Sequence, residues 1–331
     1  MKHRKNLALL LPILAILAMP LVSTSQNCEK VKIADFPRKD LPSAYGRAHL
    51  KQEASDIYYY GIGAPIDYVK ARKLAFIEWE KDSEKSDPFG GASMLMMLYA
   101  NGFGVKRNLD ISIRLACANV IGAGAEMEGR VQHLKDMKAG KSTEIFDVCD
   151  DLTSGYLEGM CQSLHSELAE IKRKSTTDSV IKKWPKRDLD AYKKLCVAAS
   201  PFFYERVNSE VDESGTARVA MVWAESDALE DDFLDKIIKA DKCTFEHYSA
   251  ADFLQADKDL NALYSKIMNN KAFEFGTVTK EGIKAAQRKW IPYRDAWVAF
   301  GAVRCPGVTD ISWKTMVTQE RVEQLKVFVD E

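Results

Sequence analysis

Seven cysteines contain no Cys-x-x-Cys pair, and five histidines contain no His-Glu-x-x-His array. His49, His133, His165 and His247 lie scattered along the chain. Zinc therefore has no ligand set at usable spacing, and no metal site or cofactor is expected. No serine or cysteine motif is tied to a histidine, and no carboxylate pair is singled out by its spacing. The chain reads as a non-enzyme. A formal net charge of −1 gives no basis for nucleic-acid binding. Eighteen glycines and ten prolines leave no room for long linkers or collagen-like repeats. Beyond the N-terminal segment no run is long and apolar enough to span a bilayer.

What is present is ordinary globular composition, 46% apolar and 10% aromatic over 331 residues, a length that suggests two or three domains. The first residues have the pattern of a secretory signal peptide. Lys2, Arg4 and Lys5 precede an aliphatic run from Leu7 to Leu17, and Pro20 is followed by Ser23, Thr24 and Ser25. Cleavage after Ser25 would remove three cations and no acid, taking the net charge from −1 to −4. The expected location is periplasmic or secreted, with no membrane span after removal of residues 1–25. In an exported chain the cysteines read first as disulfides. Cys149 and Cys161 flank a short segment containing Gly155 and Gly159 and are expected to pair. An odd count leaves at least one thiol over, and Cys117 and Cys196 lie on apolar helical faces that would bury them.

Helical periodicity dominates, so the fold class is all-α. Residues 26–53 read as a polar N-terminal extension. From about Ala54 a repeat begins: Tyr58-x-x-Gly61-x-Gly63 recurs as Tyr99-x-x-Gly102-x-Gly104, 41 residues later, and Asp67, Leu74 and Ala75 align with Asn108, Leu115 and Ala116. Glycine ends helices cheaply, and a phosphate-cradling loop would need a preceding strand and a third glycine. This unit resembles the Sel1-like repeat, a relative of the tetratricopeptide helix pair. The resemblance implies a short helical-repeat solenoid over residues 54–144, which either holds a partner on its concave face or serves as a structural lead-in. The second copy departs from the pattern with Ile111 and Ser112, and Glu80 to Ser86 reads as an insertion. A further helix over 123–145 ends at Gly140.

Past residue 145, stripes through Leu189–Val207, bent near Pro201, and through Ala217–Ile237 mark further helices. Between them, Glu210, Asp212 and Glu213 read as a solvated, helix-capping acidic turn without calcium-loop spacing. Phe253, Leu260, Leu263 and Ile267 line the next helix. The richest stripe follows. Ile283, Trp290 and Trp297 recur every seven residues, and Ala286, Tyr293 and Phe300 repeat the pattern. Such a face must pack, with Pro292 expected to bend it. Asp257 and Arg294 each sit one step off their stripe and read as a structural ion pair across the helix interface. Thr318 reads as the cap of a last helix carrying Val322, Leu325 and Val329.

Three ordered motifs carry a second resemblance: Asp257-Lys-Asp-Leu-Asn261-Ala-Leu-Tyr264, then Ala286-Gln-Arg-Lys-Trp290-Ile-Pro-Tyr293-Arg294-Asp295-Ala296, then Val317-Thr318-x-x-Arg321. They look like the LprI-type lysozyme-inhibitor domain family. The resemblance implies a helical LprI-like domain over residues 145–331, with its core at 243–328. Some members of the family bind and block lysozyme. The family usually has a cysteine after Tyr-Arg-Asp-Ala; this chain has Trp297 there, and Cys305 is left to substitute by pairing with Cys243. The implied partner is a protein, lysozyme first, held by stoichiometric binding. Because a lysozyme cleft holds a carboxylate pair, basic loops are the implied contacts: Lys271 to Lys280, and Arg304 to Lys314. The alternatives are an envelope scaffold using the repeat face and, further off, a cell-wall-acting enzyme.

Overall fold

A computed structural model describes residues 32–50, 53–81, 88–118 and 121–329. The signal-peptide expectation and Cys28 lie outside these residues. Among the described residues the chain forms eleven α-helices and no strand, as the periodicity predicts. They are α1 (Ala44–His49), α2 (Tyr68–Lys81), α3 (Gly91–Asn101), α4 (Leu109–Ala118), α5 (Gly124–Lys138) and α6 (Gly155–Ile181). They continue as α7 (Lys186–Ser209), α8 (Arg218–Lys242), α9 (Ala250–Asn269), α10 (Lys280–Arg304) and α11 (Asp310–Lys326).

Helix α3 is apolar all round, and Met94 to Ala100 are fully buried between α2 and α4. A helix without a polar face is stable only in such a position. The two glycine turns 41 residues apart share backbone features. Asp67 N donates to Tyr58 O and Asn108 N to Tyr99 O, both at 2.9 Å. Gly61, Gly63, Gly102 and Gly104 all take left-handed φ between 63° and 79°. The copies differ in their first helix, where a single π-turn (Ile57–Gly61) stands in place of α3. Helix α5 covers the predicted stretch and Gly140 follows it at φ 73°.

Cys149 and Cys161 are bridged, with Cα atoms 5.7 Å apart, and pin the turn before α6 to its second turn. Cys117 is itself disulfide-bonded, a correction to its reading as a buried thiol. Cys196 is the free cysteine among the described residues. Leu157 and Cys161 belong to the core built around α3, whereas the rest of α6 runs parallel to α8. Ser166 reaches Asp227 at 2.5 Å near the start, and Trp184, just past the end of α6, reaches Asp241 at 2.7 Å.

Helix α7 runs antiparallel to α10, with Asp188 meeting Arg304 at one end and Ser209 lying against Gly282 at the other. Helix α11 also packs on α10, and α9 packs on α11. Those two run parallel: Tyr248 N donates to Ser312 Oγ at their starts, and Phe275 meets Phe328 at their ends. Two sequence expectations fail here. The cap of α11 is Thr309, whose side chain accepts from Ser312 N, while Thr318 is buried mid-helix. Glu210 is fully buried rather than solvated, because α11 brings a second arginine onto it. Asp212 does cap its turn, accepting from Ser214 N and Thr277 N.

Candidate functional site

The aromatic stripe of α10 does pack. Ile283, Ala286, Trp290, Tyr293, Trp297 and Phe300 are all buried, each near or below 3% exposure. Trp297, standing where the resembled family usually has a cysteine, lies stacked on Trp313 with ring centroids 5.8 Å apart and planes 12° from parallel. Phe233 and Phe300 close its other edges. Gly301 makes the stack feasible, since a Cβ there would stand 2.1 Å from the Trp313 indole nitrogen. The covalent link sits elsewhere: Cys243, at the end of α8, is bridged to Cys305, at the end of α10, across 62 residues. Burial holds the Tyr293 hydroxyl well above its usual range.

Beside this stripe lies an ionic clamp assembled from four helices, α7, α8, α10 and α11. Glu210 accepts from Arg206 at 2.7 Å and from Arg321 at 2.8 and 2.5 Å. Arg321 also donates to Gln287 at 2.9 Å, and Arg206 to Glu225 at 2.7 Å. Two cations face two anions, so the charge is balanced where water is excluded. Gln287 and Arg321 come from the second and third family motifs, so those motifs meet in space as a tie between α10, α11 and α7. The sequence signal for the third member was the four-residue spacing of Arg206 and Glu210 on one helix face.

Four other polar motif residues, Asp257, Asn261, Arg294 and Asp295, pair within their own helices. Asp257 accepts from Asn261 at 3.0 Å on α9. Arg294 donates to its neighbour Asp295 at 2.8 Å, with its guanidinium 5.2 Å from the Trp290 ring. The expected Asp257–Arg294 pair is absent because α9 packs on α11, which separates it from α10. Tyr264 is half-buried, and desolvation raises its hydroxyl pKa against the pull of Arg288 and Arg321.

The two basic loops lie at opposite ends of α10, whose 25 residues span about 37 Å at 1.5 Å per residue. One compact contact cannot include both. Arg304 is not available to a partner: it pairs with Asp188 at 3.3 Å and Asp241 at 2.9 Å, and stacks 4.5 Å from the Trp184 ring centroid. Lys280 donates to Met268 O and so caps the end of α9. Lys271 is exposed and Lys314 half-exposed. Among the described residues no group of three or more His, Cys, Asp or Glu side chains could hold a metal ion, and no helix is long and apolar enough to cross a membrane.

The ionisable side chains at the centre of this unit thus tie helices together, leaving helix ends and outer faces as the surfaces open to recognition. No curated protein and no solved structure matches the chain. The match to known families falls on the part just described: residues 240–325, which include α9 to α11 and the Cys243–Cys305 bridge, are similar to the family model described as lysozyme inhibitor LprI.

Proposed function

We propose that the protein is an exported binding protein that inhibits lysozyme by stoichiometric binding and turns nothing over. The family match over 240–325 carries this reading. The signal-like N-terminus supports export, as do disulfide bonds of a kind that persist in oxidising compartments. A processed charge of −4 would favour encounter with a basic lysozyme. With Arg304 and Lys280 engaged internally, Lys314 and Lys271 are the better placed contacts of the four, one at each end of α10. Calorimetric titration of processed protein into lysozyme tests the reading: saturable binding near one-to-one supports it, and absence of heat at micromolar concentrations removes it.

A second reading is a scaffold whose Sel1-like repeats at 54–144 hold another exported protein. The paired backbone bonds and left-handed glycines of the two copies favour it. A fragment-independent discriminator is capture from envelope extract by protein with an intact LprI-type domain but substitutions on exposed Ile66 and Val69. Loss of the captured protein in that variant supports the scaffold reading.

A further inference from the structure

Helices α6, α7 and α8 do not close completely on one another. Between them runs a groove of about 980 Å³, lined on α6 from Ser163 to Ile181 and on α7 from Tyr192 to Asn208. The eighteen helical rises from Ser163 to Ile181 on α6 correspond to a length of about 27 Å. That length suits an extended polypeptide segment of about eight residues and far exceeds a small metabolite. The groove lies outside residues 240–325.

Its chemistry is two-sided. Tyr192, Phe203 and Phe233 supply an aromatic floor, and Tyr204 and Trp223, 71% and 38% exposed, stand on the rim. Five carboxylates line it against two cations, leaving three negative charges in excess. Arg173 is already engaged by Asp227 at 2.7 Å and by Asp231 at 3.1 Å. Glu167, Glu170 and Glu230 are exposed and make no hydrogen bond or ion pair among the described residues. Desolvation pushes the Glu230 carboxyl up, and the neighbouring Glu170 and Asp227 add to that push against the pull of Arg173.

We infer that this groove docks an extended, Lys- or Arg-bearing segment of a protein partner, its cationic heads on the unpaired carboxylates and its aliphatic stems along the aromatic floor. The charge sign selects cationic chains, and the aromatic faces add cation–π attraction for them. Length selects a polypeptide over a compact cation. This site is independent of whether the LprI-type domain binds lysozyme.

Cys196 lines the same groove and is a built-in reporter. The experiment follows its alkylation by a maleimide at mildly alkaline pH, located by peptide mapping, with three probes: an eight-residue Lys/Leu/Arg peptide, the same peptide with Glu for each cation, and spermine. The expected result is that the cationic peptide alone slows labelling of Cys196, and that salt relieves the protection. Glu170→Gln and Glu230→Gln should each weaken that protection about two- to fivefold, the range of a solvent-accessible ion pair, with an unchanged melting curve. Equal protection by the acidic peptide would overturn the charge argument, and equal protection by spermine would overturn the polypeptide one. No protection by any probe at millimolar concentration would overturn the site. The probes are synthetic, so a negative lysozyme titration leaves the outcome intact.

Discussion

Arg321 on α11 forms two hydrogen bonds with Glu210 at the end of α7, 111 residues earlier, and neither side chain has any exposed surface. The pair is the deepest polar contact between the LprI-like region and the helices that precede it. Arg321→Met should therefore cost about 3–5 kcal/mol, because it leaves a buried carboxylate with one partner in place of two. Denaturant unfolding measures it; a loss below about 1 kcal/mol would show that Glu210 reaches water.

Trp290→Ala should act through stability, with a loss of about 3–5 kcal/mol, since the ring is buried between Ile283 and Tyr293 on the packed face of α10. A variant with an unchanged melting curve and lost partner binding would make Trp290 a contact residue instead.

The Cys149–Cys161 and Cys243–Cys305 disulfides close loops of different length, 12 and 62 residues. On chain-entropy grounds Cys149→Ser with Cys161→Ser should cost about 3 kcal/mol, and Cys243→Ser with Cys305→Ser about 4 kcal/mol. Unfolding of the two double variants in denaturant checks both values. A negligible effect in the second would mean that the Arg304–Asp241 pair and the Phe233–Trp297 contact suffice to hold α8 and α10 together.

Most of the fold was legible in the sequence because stripes of period 3.6 need only local residues to be read. The α10 stripe, the span of α5 and the Cys149–Cys161 pair follow from spacing alone. What failed depends on which helix neighbours which. Asp257 and Arg294 do not meet because α11, last in the chain, packs between their helices. Glu210 looks solvated until Arg321 arrives from 111 residues away. Arg304 looks like a free loop cation until Asp188, Asp241 and Trp184 surround it. Thr318 was misread because Thr309, nine residues earlier, is the cap.

Glu320 provides a pH test. Burial pushes its carboxyl up to about 7, against the pull of Lys236 at 2.9 Å and with a push from Asp232. The folded protein then retains a proton that the unfolded chain releases near the usual 4.5, so stability should fall as pH rises from about 4.5 to about 7. The side chain is 29% exposed, so the slope should be shallow. Glu320→Gln should flatten it. A pH profile identical in the two proteins would place the carboxyl in ordinary water.

The most direct measurement is lysozyme activity titrated with processed protein, repeated at high salt and across several lysozyme classes. The expected result is inhibition that saturates near one equivalent for at least one class and weakens as salt screens the charge term. No inhibition of any class at several-fold molar excess would contradict the inhibitor reading and leave the scaffold reading in its place.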